Sequence, residues 1–534
     1  MWCGNQNYTQ VMKCRVASLI KVKAANGRTY VYENVSYWDR DEKKTKHKRT
    51  CIGHIDPESG EIVPNRRKGK AGDDPERCTK PETCRVVGCG VALVLDHYAR
   101  ETGLESVLKK VFPKEWQEIL TCAYYLLSVG GALSHVETWS ADNATPLGRI
   151  LTSQRVSELL QTLDYGRQLS FFQTWNKREG ADAYYAMDIT SVSSYSEQNE
   201  YVQNGYNRDH EPLPQINLLL ITGMESGLPL YYRALPGSLG DVRTVRETVR
   251  AFELLQLRKV HFVMDRGFWS RTNIDDFYST HSKFLIGVPF TARLARDAVE
   301  KCRETILAFQ NYRRIGHGDY YLMTELQKWG SHRFYVHTYF NSDKADEERR
   351  SFDWRLAQCR QELEAGQTIR SHEHDYEAFF IVKETPKRGR KVMINEEAVK
   401  AHRHSRAGWF VLGTNDIKDP VTALEVYHSR DRVEKAFENL KNSKDMKRLR
   451  VHSAKAMEGR LFLQFIALIL DSSIRQKLQQ ISWLESHSLR DAFRELTTLR
   501  RVEIPGRRES LYTTPTRLQR QLTEWLGVEI PTCV

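Results

Sequence analysis

The sequence predicts an α/β protein built on a mixed sheet flanked by helices, and three observations predict it. Short apolar runs recur between residues 182 and 291, separated by segments of helical periodicity. Two of those runs stop at an acid: Tyr184-Tyr185-Ala186-Met187-Asp188 and His261-Phe262-Val263-Met264-Asp265. A long amphipathic helix over 421–444 carries a third acid, Glu434, on one stripe. The chain has 534 residues, 40% apolar and 10% aromatic, which is the composition of a globular protein of several domains. Its 80 Lys+Arg against 68 Asp+Glu leave a net charge of +12, a balance that favours a polyanionic partner.

Each element of the central region follows in order. Residues 183–189 form the first strand. Residues 216–222 and 228–233 flank a Gly223 to Gly227 turn and read as a hairpin. A helix over 242–255, a strand over 260–264, a helix over 273–279 and a strand over 284–288 complete the set. The order β-β-β-α-β-α-β is that of a ribonuclease H-like sheet, with Asp188 and Asp265 expected at the ends of its first and fourth strands.

Around this core the chain divides by pattern. Residues 1–81 form a β-rich module, with an Asn26-Gly27 turn and a basic linker from Pro64 to Pro81. Residues 82–180 are helical. Two of their helices, over 133–139 and 153–163, form a helix-turn-helix-like pair in which Gln154 and Arg155 stand where DNA-reading residues often sit. The first part of the core spans 181–291, a large insertion domain 292–405, the rest of the core 406–475, and a C-terminal helical region 476–534. The insertion includes a charged helix over 343–365, with Phe352, Leu356, Cys359 and Leu363 on one stripe.

Several signals point nowhere. Cys78, Cys84 and Cys89 match no zinc spacing, and Gly88-Cys89-Gly90 lacks the third glycine of a dinucleotide loop. His372-Glu373-His374-Asp375 reads as a solvated loop, because the sequence shows no second ligand cluster beside it. Ten cysteines are too few for a disulfide scaffold. The longest apolar run, 461–470, is half a membrane span and reads as a buried helix. A cytoplasmic protein with no membrane partner is expected.

The chemistry concentrates on the helix at 421–444. Residues advance about 100° each, so Tyr427, Arg430, Glu434 and Lys441 fall at about 0°, 300°, 340° and 320°, on one stripe. Val426, Val433, Phe437 and Leu440 form a neighbouring apolar stripe. The spacing Tyr427-x2-Arg430-x3-Glu434-x6-Lys441 resembles, at every position, the Y-(2)-R-(3)-E-(6)-K signature of a superfamily of bacterial insertion-sequence DDE transposases. AMDIT around Asp188, VMDRGF around Asp265, SRDRVEKAFENLKNSKDMKRLRVHS and EGRLFLQFIALIL resemble one branch of it, and the likeness covers most of the chain.

That resemblance implies that Asp188, Asp265 and Glu434 bind two Mg²⁺ ions, with Mn²⁺ as a substitute, and catalyse DNA cleavage and strand transfer. It implies that Tyr427, Arg430 and Lys441 hold the cleaved end, with Lys444 extending the basic surface. Trp409 is the candidate for stacking a flipped base; Phe410, its neighbour, is the other. The implied partners are double-stranded DNA, as terminal inverted repeats and as target, and a second copy of the chain in a homodimer. The location implied is the cytoplasm of a bacterium, at the nucleoid. A ribonuclease H-like nuclease would share the triad but not the Tyr/Arg/Lys stripe, and a catalytically silent DNA-binding relative would share the fold.

Overall fold

The structure is a computed structural model. It describes residues 17–24, 28–39, 44–56, 60–64, 84–177, 182–196, 199–205, 213–239, 255, 260–316, 318–385, 389–430, 448–449, 453–504 and 510–531. Glu434, Lys441, Lys444, the Asn26-Gly27 turn and nearly all of the helix expected at 242–255 lie outside them.

Contacts divide the chain into Met1–Glu82 and Thr83–Val534. The first unit is an antiparallel sheet in sequence order: β1 (Ala17–Lys23), β2 (Thr29–Asp39), β3 (Lys44–Ile55) and β4 (Ile62–Pro64). Tyr30, Val31 and Tyr32 give β2 the aromatic and β-branched content that suits a pleated surface. Its register with β3 shifts between Val31 and Tyr32, which face Gly53 and Cys51.

The second unit opens with β5 (Arg85–Gly88) and the helices α1 (Gly90–Glu101), α2 (Leu104–Val111), α3 (Trp116–Ser128), α4 (Val136–Asp142), α5 (Ser153–Thr162) and α6 (Tyr165–Trp175). The strands β6 (Tyr185–Ser194), β7 (Gln215–Gly223), β8 (Pro229–Pro236) and β9 (His261–Met264) follow. Next come α7 (Arg271–Ser279), β10 (Lys283–Val288), α8 (Arg293–Cys302), β11 (Tyr312–Ile315), β12 (Gly318–Trp329) and β13 (His332–Phe340). A smaller group comprises α9 (Ser342–Ala365), α10 (Glu373–Phe379), β14 (Phe380–Thr385), β15 (Gly389–Ile394) and α11 (Glu396–Arg406). The chain then returns through β16 (Trp409–Thr414), α12 (Pro420–Ser429) and β17 (Arg448–Leu449). It closes with α13 (Ala454–Gln480), α14 (Leu489–Leu496), β18 (Arg500–Glu503), β19 (Leu511–Tyr512) and α15 (Arg517–Trp525).

The main sheet runs β11-β12-β13-β16-β10-β9-β6-β7-β8, and β17 pairs with β6. It is mixed. β9 is parallel to both β6 and β10, β17 is parallel to β6, and the other pairs are antiparallel. The expected hairpin is β7–β8.

The helical region is no separate body; it shares the core of the sheet. The apolar run at 461–470 is the buried middle of α13, and its Phe462 meets Phe112 and Phe171 at 5.3 and 5.2 Å. Phe465 meets Phe172 and the strand residue Tyr232 at 5.4 and 5.2 Å. Burying each such ring contributes about 1.5–3 kcal/mol, so α13 fastens α2 and α6 to β8. Within this region Arg155 is held by Glu118, which is 4% exposed, through bonds of 2.9 and 2.8 Å from Nε and Nη2. That bidentate pair ties α5 to α3, so Arg155 has a packing role inside the helical region.

The expected insertion, 292–405, divides in two. Its first part enters the sheet: β13 alternates side chains to two buried faces and pairs with both β12 and β16. Among its described residues, the group from α9 to α11 has a core of its own, formed by Phe352, Leu356, Cys359, Leu363, Tyr376, Phe379, Phe380 and Val399. The predicted apolar stripe of α9 faces that core. Asn341 caps the helix by accepting a bond from the Lys344 amide, and Gly366 ends it in the left-handed region at φ 69°.

Among the described residues, no single helix is long and apolar enough to cross a membrane.

Candidate active site

The parallel register Ala186↔Val263 and Met187↔Met264 places Asp188 and Asp265 side by side at the next step. Adjacent strands stand about 4.8 Å apart, and residues at matching positions of parallel neighbours start out on the same face of the sheet. The sequence placed both at strand ends. Asp265 does follow the last residue of β9, but Asp188 is the fourth residue of a ten-residue strand. β6 continues because β7 keeps pairing with it as far as Ser193↔Gln215, whereas its parallel partner stops at Met264. Asp188 therefore sits where the sheet loses a neighbour on one side, and it is partly exposed there.

Asp265 turns the chain sharply. Its Oδ1 accepts a bond from the Gly267 amide and caps the short 3₁₀ turn Arg266–Phe268. Its side chain stays 39% exposed, and Oδ2 lies 3.9 Å from Nη1 of Arg430.

Arg430 and Tyr427 come from α12, which covers the same face. Asp419 caps this helix by accepting from the Thr422 amide and hydroxyl, at 2.8 and 2.7 Å, which holds its carboxyl below the usual range. Pro420 follows at the first helical position. Two buried strand residues fix the segment just before: His337 meets the Ile417 carbonyl at 3.0 Å, and Tyr339 donates to the Pro420 carbonyl at 2.8 Å. A carbonyl only accepts, so Nε2 of His337 carries the proton and Nδ1 accepts from the Thr324 hydroxyl at 2.8 Å. Burial lowers the His337 pKa, which keeps this neutral form.

One position lets α12 approach. Gly287 on β10 follows Ile286, the partner of Met264, and a Cβ there would lie 2.9 Å from the Tyr427 hydroxyl and 3.1 Å from the Arg266 amide. The guanidinium carbon of Arg430 in turn lies 5.0 Å from the centre of the Tyr427 ring, and Arg430 is only 7% exposed. Asp265, Tyr427 and Arg430 thus meet on one face, and Asp188 follows Met187 on the strand beside β9. Gly287 carries no chemistry, and its part could not be read without the register.

The pleat separates the two aromatic candidates. Phe410 pairs with Tyr339 and shares the α12 face, where their rings stack at 4.6 Å and 6°. Lys344 Nζ stands 5.7 Å from the Phe410 ring. Trp409 faces the other way. It is 9% exposed, with Phe340 at 5.0 Å and the guanidinium carbon of Arg303 at 5.4 Å. Alternation from Leu412, level with Gly287, puts Phe410 on the carboxylates' face and Trp409 on the opposite one.

The donor set suits a hard divalent cation, since two neighbouring carboxylates offer only oxygen ligands and one of them is accessible from solvent. Residues 182–470, more than half of the chain, match the family model described as "Transposase DDE domain". No curated protein matches the sequence. Among solved structures, the chain is similar at 9% identity and a TM-score of 0.34 to a piggyBac transposase in a synaptic complex with hairpin DNA, over 76% of this chain and 70% of that one.

Proposed function

Because the chain belongs to the DDE transposases, a class of DNA-cleaving and DNA-transferring enzymes, we propose that it is an insertion-sequence transposase that binds terminal inverted repeats, cuts the element ends and joins them to target DNA. The observation that supports this reading best is the in-register pair Asp188 and Asp265 beneath Tyr427 and Arg430.

In this reading Asp188, Asp265 and Glu434 hold two Mg²⁺ ions, for which Mn²⁺ can substitute. Divalent ions bound there supply water activation and take charge on the leaving oxygen. Asp265 is suited to hold one oxygen inward while the other points to the site, because the Gly267 amide fixes Oδ1. Arg430 contributes fixed positive charge beside Asp265, and its burial gives that charge a low-dielectric setting near the reacting phosphate. Tyr427, Arg430, Lys441 and Lys444 hold the strand end, and the aromatic on the carboxylates' face, Phe410, is better placed than Trp409 to meet a base. The chain acts as a homodimer on paired ends. Its +12 charge fits a DNA partner.

Nicking and strand-transfer assays on an end-containing duplex test the proposal, with Mg²⁺ or Mn²⁺. Asp188→Asn, Asp265→Asn and Glu434→Gln should each lower cleavage by at least about 10³-fold while sparing end binding. Near-normal cleavage in any one of them removes that residue from the triad. Near-normal cleavage in all three would reject the triad, and no cleavage or joining by the wild type would reject the enzyme reading.

A further inference from the structure

The module from α9 to α11 is small. Its separate core holds eight buried residues, and domains of this size commonly rely on an additional staple. At the seam between α9 and the turn before α10, three metal-ligating side chains converge. Cys359 Sγ, a Glu362 carboxylate oxygen and a His372 ring nitrogen all lie within 4.8 Å of one another. Cys359 is fully buried, and the side chains of Glu362 and His372 are 12% and 21% exposed.

The placement follows from the local fold. Cys359 and Glu362 are three residues apart on α9, so both point to the side that meets the following turn. His372 closes the 3₁₀ turn Arg370–His372, and its Nδ1 lies 2.8 Å from Glu362 Oε2. The carboxylate is oriented from behind. Gln358 Nε2 donates to Glu362 Oε1 at 3.0 Å, and the Tyr376 hydroxyl donates to Oε2. Tyr376 is itself fixed by accepting the Ile369 amide at 3.1 Å. Partners of this kind hold ligands in place around protein metal ions. The polar run His372–Asp375 contributes His372 alone, since His374 is 90% exposed; its other ligands come from α9.

We infer that Cys359, Glu362 and His372 form a structural metal site for a borderline divalent cation of the zinc class, which pins the turn before α10 to α9. The donors are one sulfur, one nitrogen and one oxygen. That set favours Zn²⁺, with a water completing a tetrahedron, over Mg²⁺, which prefers oxygen alone. On binding, the thiol proton passes to solvent, and the imidazole exchanges its Nδ1 proton for one on Nε2 through solvent, which leaves the Nδ1 lone pair for the metal. The site is chemically distinct from the Asp188–Asp265 pair, and the inference does not depend on the DNA chemistry proposed there.

Metal analysis and cobalt spectroscopy on the full chain test it. After chelator treatment and desalting, the protein is titrated with Co²⁺ or Zn²⁺ in millimolar Mg²⁺, which occupies sites built from oxygen. One Co²⁺ per chain should give visible bands of four-coordination with a thiolate-to-cobalt charge-transfer band, and one Zn²⁺ should displace it. In Cys359→Ser the charge-transfer band should vanish and Zn²⁺ affinity fall at least about 100-fold; in His372→Gln affinity should fall about 10–100-fold. Added Zn²⁺ should raise the melting temperature of the wild type and leave that of either variant unchanged. His372→Gln is partly exposed and keeps the test valid if Cys359→Ser folds poorly. An unaltered charge-transfer band in both variants, or no zinc retained by the wild type in Mg²⁺, would show a hydrogen-bonded cluster only and overturn the inference.

Discussion

Adding one methyl group at Gly287 tests the geometry of the site without touching a charged residue. A Cβ there would stand 2.9 Å from the Tyr427 hydroxyl and 3.1 Å from the backbone nitrogen of Arg266, where ordinary contact begins at 3.4 Å. The hydroxyl must therefore retreat by about 0.5 Å and the Arg266 backbone by about 0.3 Å, shifts that a packed interior resists. Overpacking of this kind costs about 1–3 kcal/mol, and Gly287→Ala should fall in the lower half of that range because a side-chain tip yields more readily than backbone. Tyr427→Phe deletes the obstructing oxygen. In the double variant the methyl group then meets mainly Arg266, and roughly half of the penalty should disappear. Melting curves of the wild type, both single variants and the double variant form a double-mutant cycle, which isolates the coupling between the two positions. Additive losses would mean that the added methyl group does not press on the Tyr427 hydroxyl, and the placement of α12 over β10 would then be wrong.

Three further expectations follow from the same structure. Arg155→Ala should lower stability by about 1–3 kcal/mol, because it leaves the buried Glu118 carboxylate without its bidentate partner; DNA affinity measured across salt concentrations should keep its slope, and a flatter slope would show that Arg155 also contacts DNA. His337 is lowered from 6.5 by burial, so the unfolded chain binds its proton more readily; its contribution is complete above about pH 6.5 and is lost as pH falls through the lower folded value. His337→Gln should flatten that segment of the melting temperature against pH, and an unchanged profile would contradict it. Gly408 has φ 78°, and a Cβ there would fall 2.5 Å from both Ala345 Cβ and the Asn341 carbonyl. Gly408→Ala should therefore cost more than about 1 kcal/mol in a melting experiment, and a neutral outcome would refute the tight junction between β13, α9 and β16.

The sequence by itself determined many of the strands and helices and singled out the candidate residues, because both signals are local. Strand periodicity exposed the apolar runs before Asp188 and Asp265. Helical spacing set Tyr427 and Arg430 on one stripe, and the apolar stripe of the helix after Asn341 is the one that packs. What the tertiary structure decided is everything that depends on which strand lies beside which. Strand pairing set Asp188 level with Asp265 and let β6 run on past its acid. It drew β11–β13 into the sheet although the chain had suggested a separate insertion. It also sent Trp409 to one face and Phe410 to the other, since a pleat alternates from a starting point that only the neighbouring strand supplies. Arg155 makes the same point for helices. Its place near a helix start was legible, but the buried Glu118 that takes up its charge lies 37 residues away in sequence and was brought beside it only by the packing of α5 on α3.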